Sequence, residues 1–259
     1  MRRYRELDEI GRIQLSRSFF FRDFLFSEIG AAFGIPNVPD DLDLAVYTGR
    51  QLCETILEPL QDTLGRIHLR SGYRSAHLNA FGNARGLNCS SNQRTFADHI
   101  WDRRDCEGNA GACATVVIPW FLEHHRPDEW EKLAWWLWDN FDFHRVVFFG
   151  RQASFNIGWR ENPLREIRSH VAPRGILAGP GMLNGWGDHS DQYLGFPALR
   201  PPARPALQPV ASGTLHCTPL HRHREQRAEA FPASGITPSR VKDEAIGGIS
   251  EQANEGLLV

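Results

Sequence analysis

Ile67-His68-Leu69-Arg70-Ser71-Gly72-Tyr73-Arg74-Ser75 is the stretch from which the fold is read. Ile67–Ser71 is short and alternates in polarity, the pattern of a strand. Residues 72–95, which follow, are rich in Gly, Asn, Ser and Arg and read as a loop. An arginine just past a strand end can present its planar fork to a carboxylate or to a tetrahedral oxyanion. The plainer alternative is a surface arginine–carboxylate pair, which contributes little. On the N-terminal side, Phe24, Leu25, Ile29 and Phe33 share a face and predict a helix over Arg22–Phe33, stopped by Gly34. Leu52, Ile56, Leu60 and Leu64 form an i, i+4 stripe that predicts a second helix over Asp43–Leu64, bent at Pro59 and ended by Gly65.

On the C-terminal side, Phe96–Trp101 reads as a strand. Alternation then puts Ala97, His99 and Trp101 on one face and Asp98, Ile100 and Asp102 on the other, so Asp98 and His99 should not share a site. Helices are expected over Ala110–His124 and Asp128–Asn140, the second anchored by Trp130, Leu133, Trp135, Trp136 and Leu137. Arg145–Phe149 and Ser154–Trp159 read as strands. The order predicts an α+β domain, helices packed on a small antiparallel sheet.

The chain has 259 residues, and its composition is uneven. All eight Trp lie between Trp101 and Trp186, whereas from Arg200 onward only Phe231 is aromatic and seven of the sixteen Pro occur. Such a tail cannot bury enough apolar area to offset its ordering entropy. The expected division is a folded domain over 1–199 and a Pro-rich, disordered tail over 200–259. The tail's His216, Cys217, His221 and His223 read as a mobile polar segment rather than a metal site. A formal charge of −2 shows no electrostatic footprint for nucleic acid. No apolar run of about eighteen residues exists to make a membrane span. The first residues lack the apolar core of a secretory signal, so a cytoplasmic protein is expected, with Cys53, Cys89, Cys106, Cys113 and Cys217 as reduced thiols.

Three polar clusters stand out: 70–75, 92–102 and 155–161. No HExxH, CxxC pair, Walker loop or GxGxxG follows the pattern of a known catalytic signature. A lone His99 in a Trp-rich stretch is more often a hydrogen-bonded core histidine than a ligand. Asn156 is either turned to water or placed in a site. Cys106 and Cys113 read as structural thiols, and Trp135-Trp136-x-Trp138 as core and helix surface.

Leu15, Ser16, Phe19, Asp23 and Phe24, then Leu57-Glu58-Pro59-Leu60, Ser71-Gly72-Tyr73-Arg74-Ser75 and Leu78-Asn79 together carry a resemblance. From about Leu15 to Ser169 the chain resembles the VanY-like zinc D-Ala-D-Ala carboxypeptidases, peptidoglycan peptidases with a Hedgehog-like fold. The resemblance implies a zinc held by His, Asp and His, an acidic general base, and a peptidoglycan peptide as substrate. It also implies that Arg74 binds substrate or stabilises the oxyanion, with Tyr73 and Ser75 beside it. Aligned on that pattern, the ligand positions are held by Asn92, His99 and Asn156, and the base position by Ala153. An amide oxygen is a poor zinc ligand, and alanine accepts no proton. Three readings therefore stand: a metallopeptidase with a rearranged set, His99 being aided by Asn92, Asn156, His77 or His144; a non-catalytic binder of peptidoglycan-type peptides anchored by Arg74; and a phage-associated structural protein that uses the fold as a scaffold.

Overall fold

The computed structural model describes residues 2–200, with side chains from residue 5. Of the expected tail over 200–259 only Arg200 is described, its N–H donating to Thr63 Oγ1; His216, Cys217, His221 and His223 lie outside the described residues. Helix α1 spans Arg2–Gly11. The helix expected over Arg22–Phe33 is two short ones, α2 (Arg22–Leu25) and α3 (Glu28–Phe33), because Phe26 and Ser27 are extended and the Ser27 side chain caps α3. The helix expected over Asp43–Leu64 runs continuously as α4 (Leu42–Leu52), a π turn (Cys53–Leu57) and α5 (Glu58–Leu64). The π turn precedes Pro59, which has no N–H to give and would crowd the carbonyl of an ordinary α turn.

Strand β1 is His68–Ser71. The loop expected over 72–95 contains α6 (Ala76–Ala84), started by the Ser75 side chain, which accepts from Leu78 N–H, and the single turn α7 (Asn92–Thr95). Phe96–Trp101 is not a strand: it is a tight turn with Ala97 at φ 53° and one isolated bridge between Phe96 and Ile100. The helix expected over Ala110–His124 is strand β2 (Gly111–Val117) followed by α8 (Pro119–His124). Its small and β-branched residues occupy the middle of a sheet, where both neighbours are strands. Helix α9 spans Trp130–Asn140, and β3 (Arg145–Phe148) and β4 (Phe155–Arg160) lie where strands were expected. Strands β5 (Glu166–Ser169) and β6 (Gly175–Ala178) went unforeseen.

The α+β class holds, but the sheet is larger than expected and mixed: six strands in the order β1-β2-β4-β3-β5-β6, with β3 and β5 parallel. One face is apolar. Ala112, Ala114 and Val116 of β2, Phe155 and Ile157 of β4, Val146 and Phe148 of β3 and Ile167 of β5 are buried there in one core with residues of α4, α5 and α9. The tryptophans of α9 hold the chain after β6: the indole N–H of Trp138 donates to Gly185 O and that of Trp136 to Pro197 O. Among the described residues no helix is long and apolar enough to cross a membrane.

Glu58, in the Leu57–Leu60 block, is buried at the start of α5 and ties down the segment before α2. It accepts from Ser16 Oγ (2.8 Å), Ser18 Oγ (2.9 Å) and Arg17 Nη2 (2.9 Å), and from Ser18 N–H. Removing this carboxylate leaves the buried Ser16 hydroxyl without its acceptor, while Arg17 keeps Asp62 and Ser18 can turn to water. Glu58→Ala is expected to cost about 2 kcal/mol, read from urea unfolding followed by tryptophan fluorescence; a loss below about 1 kcal/mol would show the cluster to be a surface pair in effect.

Candidate functional site

The face of the sheet opposite the core carries the polar residues. Ser71, Thr115, Asn156, Val147 and Arg168 stand opposite one another across β1, β2, β4, β3 and β5. The next row on the same face is Cys113, Gly158, Arg145 and Glu166. Thr115 Oγ1 donates to Asn156 Oδ1 at 2.7 Å and lies 3.4 Å from Ser71 Oγ. The segment from Gly72 to Arg103 supplies the other half of the site.

Two close approaches set that segment. A Cβ on Gly111 would lie 2.4 Å from Ala97 O and 2.9 Å from Trp159 O, so only glycine lets the 96–101 turn sit on the start of β2. A Cβ on Gly72 would meet Phe24 atoms at 2.7 Å. Trp101, fully buried against Phe21, Phe24 and Tyr73, donates its indole N–H to Cys113 O at 3.1 Å and pins the turn to β2. His99 then meets the segment after β1 through two bonds: its Nδ1 lies 2.8 Å from Gly72 O, and its own carbonyl accepts from Arg74 N–H at 2.8 Å. A carbonyl can only accept, so Nδ1 carries the proton and Nε2 keeps its lone pair.

The turn overturns the expected separation of Asp98 from His99. With φ positive at Ala97, the two side chains no longer alternate as on a strand. One ligand atom each from Asp98, His99 and Cys113 lies within 4.8 Å of the others. Cys113, expected as a structural thiol on a helix, is on β2 and points into this group. Burial lowers the His99 pKa, opposed by the Asp98 carboxylate; burial and then Asp98 push the Cys113 thiol well up.

Arg74 is joined to Asn92 through one side chain. Its Nη1 donates to Asn79 Oδ1 (3.1 Å) and to Cys89 Sγ (3.1 Å), while Asn79 Nδ2 donates to Asn92 Oδ1 (2.8 Å). Asn92 Nδ2 donates in turn to Ala76 O at 3.0 Å. Among the described residues no carboxylate lies within ion-pair distance of Arg74, which is half-buried. Tyr73 and Ser75, expected beside the substrate, do structural work. Tyr73 is 1% exposed in the aromatic core, and Ser75 caps α6 and donates its N–H to Asn37 Oδ1. His77 is exposed on α6; His144 is buried, its Nδ1 accepting from Leu164 N–H at 3.0 Å. Neither belongs to the Asp98–His99–Cys113 group.

The zinc set implied by the family resemblance does not fit these residues. The amide oxygens of Asn92 and Asn156 are each taken by a protein donor, from Asn79 and Thr115, and Ala153 is buried with no proton acceptor to offer. Sequence alternation hid Asp98, and a helical reading of 110–124 hid Cys113 and Thr115; Asn79 was visible only as part of the family block. Comparison of the chain with family models, with curated proteins and with solved structures found no match.

The close approach at Gly111 can be tested directly. Gly111→Ala is expected to cost about 2 kcal/mol or more, whereas Gly158→Ala, whose Cβ would meet nothing closer than 3.4 Å, should cost under about 1 kcal/mol; urea titration of the two variants compares them. His144 gives a pH signature. Burial, with Arg160 and Arg145 nearby, lowers its pKa from 6.5 to about 4. Neutral His144 therefore supports the fold fully above pH 6.5, and that support is lost as pH falls towards 4. The stability gap between the wild type and His144→Gln should shrink between pH 7.5 and pH 5; a gap that stays constant would show that His144 does not titrate in this window.

Proposed function

We propose that this chain is a peptidoglycan peptidase-like protein that binds the carboxylate end of a cell-wall-type peptide, with Arg74 as the anchor. The observation that carries the reading is the state of Arg74. Its guanidinium is held by a neutral amide and a sulfur, with no carboxylate among the described residues to neutralise it. A half-buried arginine fixed in this way keeps donors for a planar bidentate anion. The resemblance in Ser71–Ser75 and Leu57–Leu60 supplies the substrate class. Asn92 is tied to Arg74 through Asn79, and the Thr115–Asn156 pair lies on the polar face of the sheet. The proposed activity is recognition. Hydrolysis through the family's own zinc set is not part of it, because that set and the base at Ala153 are missing.

Isothermal titration of the full chain with an N-acylated Lys-D-Ala-D-Ala peptide tests the reading. Binding is expected, with a preference over the L-Ala-L-Ala isomer. Arg74→Ala should weaken it about tenfold or more, or about 1.4 kcal/mol, and Arg74→Lys should recover only part of the loss. No binding by folded wild-type protein, or equal binding by Arg74→Ala, overturns the proposal and leaves the fold as a scaffold.

A further inference from the structure

We propose that Asp98, His99 and Cys113 form a site for a divalent metal of the zinc class, with a ligand set different from the one the family resemblance implies. Their ligand atoms already lie within 4.8 Å of one another, and they come from two separate segments, the 96–101 turn and β2. Tetrahedral zinc needs ligand atoms about 3.5 Å apart, so a shift of about an ångström closes the site. The donors are one imidazole, one thiol and one carboxylate. This mixture selects zinc or cobalt over magnesium or calcium, which take oxygen alone.

The surroundings are arranged as those of a metal site are. The His99 Nδ1–H is spent on Gly72 O at 2.8 Å, which fixes the tautomer and leaves Nε2 as the ligand atom. Metal-bound histidines characteristically donate their other N–H in this way. Cys113 sits on a central strand whose backbone is held by Trp101 and by pairing with Gly158, so its sulfur has a fixed position. Asp98 is only half-buried and gives the ion a path from solvent. On binding, the Cys113 thiol gives up its proton to solvent and the thiolate ligates; His99 is neutral and Asp98 supplies a carboxylate oxygen. Three protein ligands leave a fourth position for water or another donor, as in catalytic zinc sites. The competing arrangement is metal-free, with the Cys113 Sγ–H directed at Ala114 O at 3.9 Å.

Cobalt(II) reports on the thiolate. Added to the full chain carrying Cys217→Ser, which removes the tail thiol, it should give a near-ultraviolet thiolate-to-metal charge-transfer band that zinc abolishes. Cys113→Ser should remove the band while Cys106→Ser keeps it. His99→Gln and Asp98→Asn, with folding checked by thermal melts, should each weaken zinc binding about tenfold or more. If Cys113→Ser does not fold, the half-buried Asp98→Asn decides. The proposal fails if no band forms on folded protein, if the band survives Cys113→Ser, or if zinc affinity is unchanged in Asp98→Asn. The inference does not rest on the peptide reading: a chain that binds peptide but gives no cobalt band overturns only the metal site, and the reverse overturns only the peptide anchor.

Discussion

The paired bonds between His99 and the segment after β1 are what the site depends on. Gly72 O takes the ring N–H and Arg74 N–H takes the His99 carbonyl, so one residue ties two loops together at both its side chain and its backbone. Both bonds are shielded from water, where an unmade bond is costly. They place Arg74 beside the 96–101 turn and hold the imidazole in a single tautomer. Through Asn79 the same arginine reaches Asn92, so these positions are linked by hydrogen bonds rather than only being near one another.

That pair forms only because the backbone comes unusually close in two places. Gly72 packs on Phe24, and Gly111 passes beneath the Ala97 carbonyl. Trp101 fills the space below and adds its indole bond to the Cys113 carbonyl. The result is a turn, not a strand, lying across the polar face of the sheet. The apolar face is closed by helices, so the sheet divides its two sides between stability and chemistry. Nearby arginines are paired, Arg145 with Glu166 at 3.0 Å and Arg160 with Asp105 at 3.1 Å, whereas the Arg74 guanidinium rests on Asn79 and Cys89.

Several elements were legible in the residues alone. The α4–α5 stripe, the strand before Ser71, α9 and the pair β3–β4 follow from the local apolar pattern, although α9 is buried nearly all round and β1 only lightly. Pro59 marked the irregular turn correctly as a place, although the chain absorbs it as a π turn and continues. Arg74 and His99 were also visible as chemistry-bearing residues. The misreadings share a cause. Gly111–Val117 is buried on both sides, so its apolar run has no period that separates strand from helix. Phe96–Trp101 mimics a strand in polarity, but Ala97 takes a left-handed backbone that no local pattern announces.

Sequence by itself therefore determined the α+β class, the main helices and two of the side chains of the candidate site, because these depend on spacing along the chain. Tertiary structure decided which residues meet. Asp98, His99 and Cys113 converge because Gly111 admits a turn onto β2, and Tyr73 turns inward because Phe21 and Trp101 pack against its ring. Contacts between residues far apart in the chain are set by steric fit between distant segments, and that fit leaves no periodic trace in either segment alone.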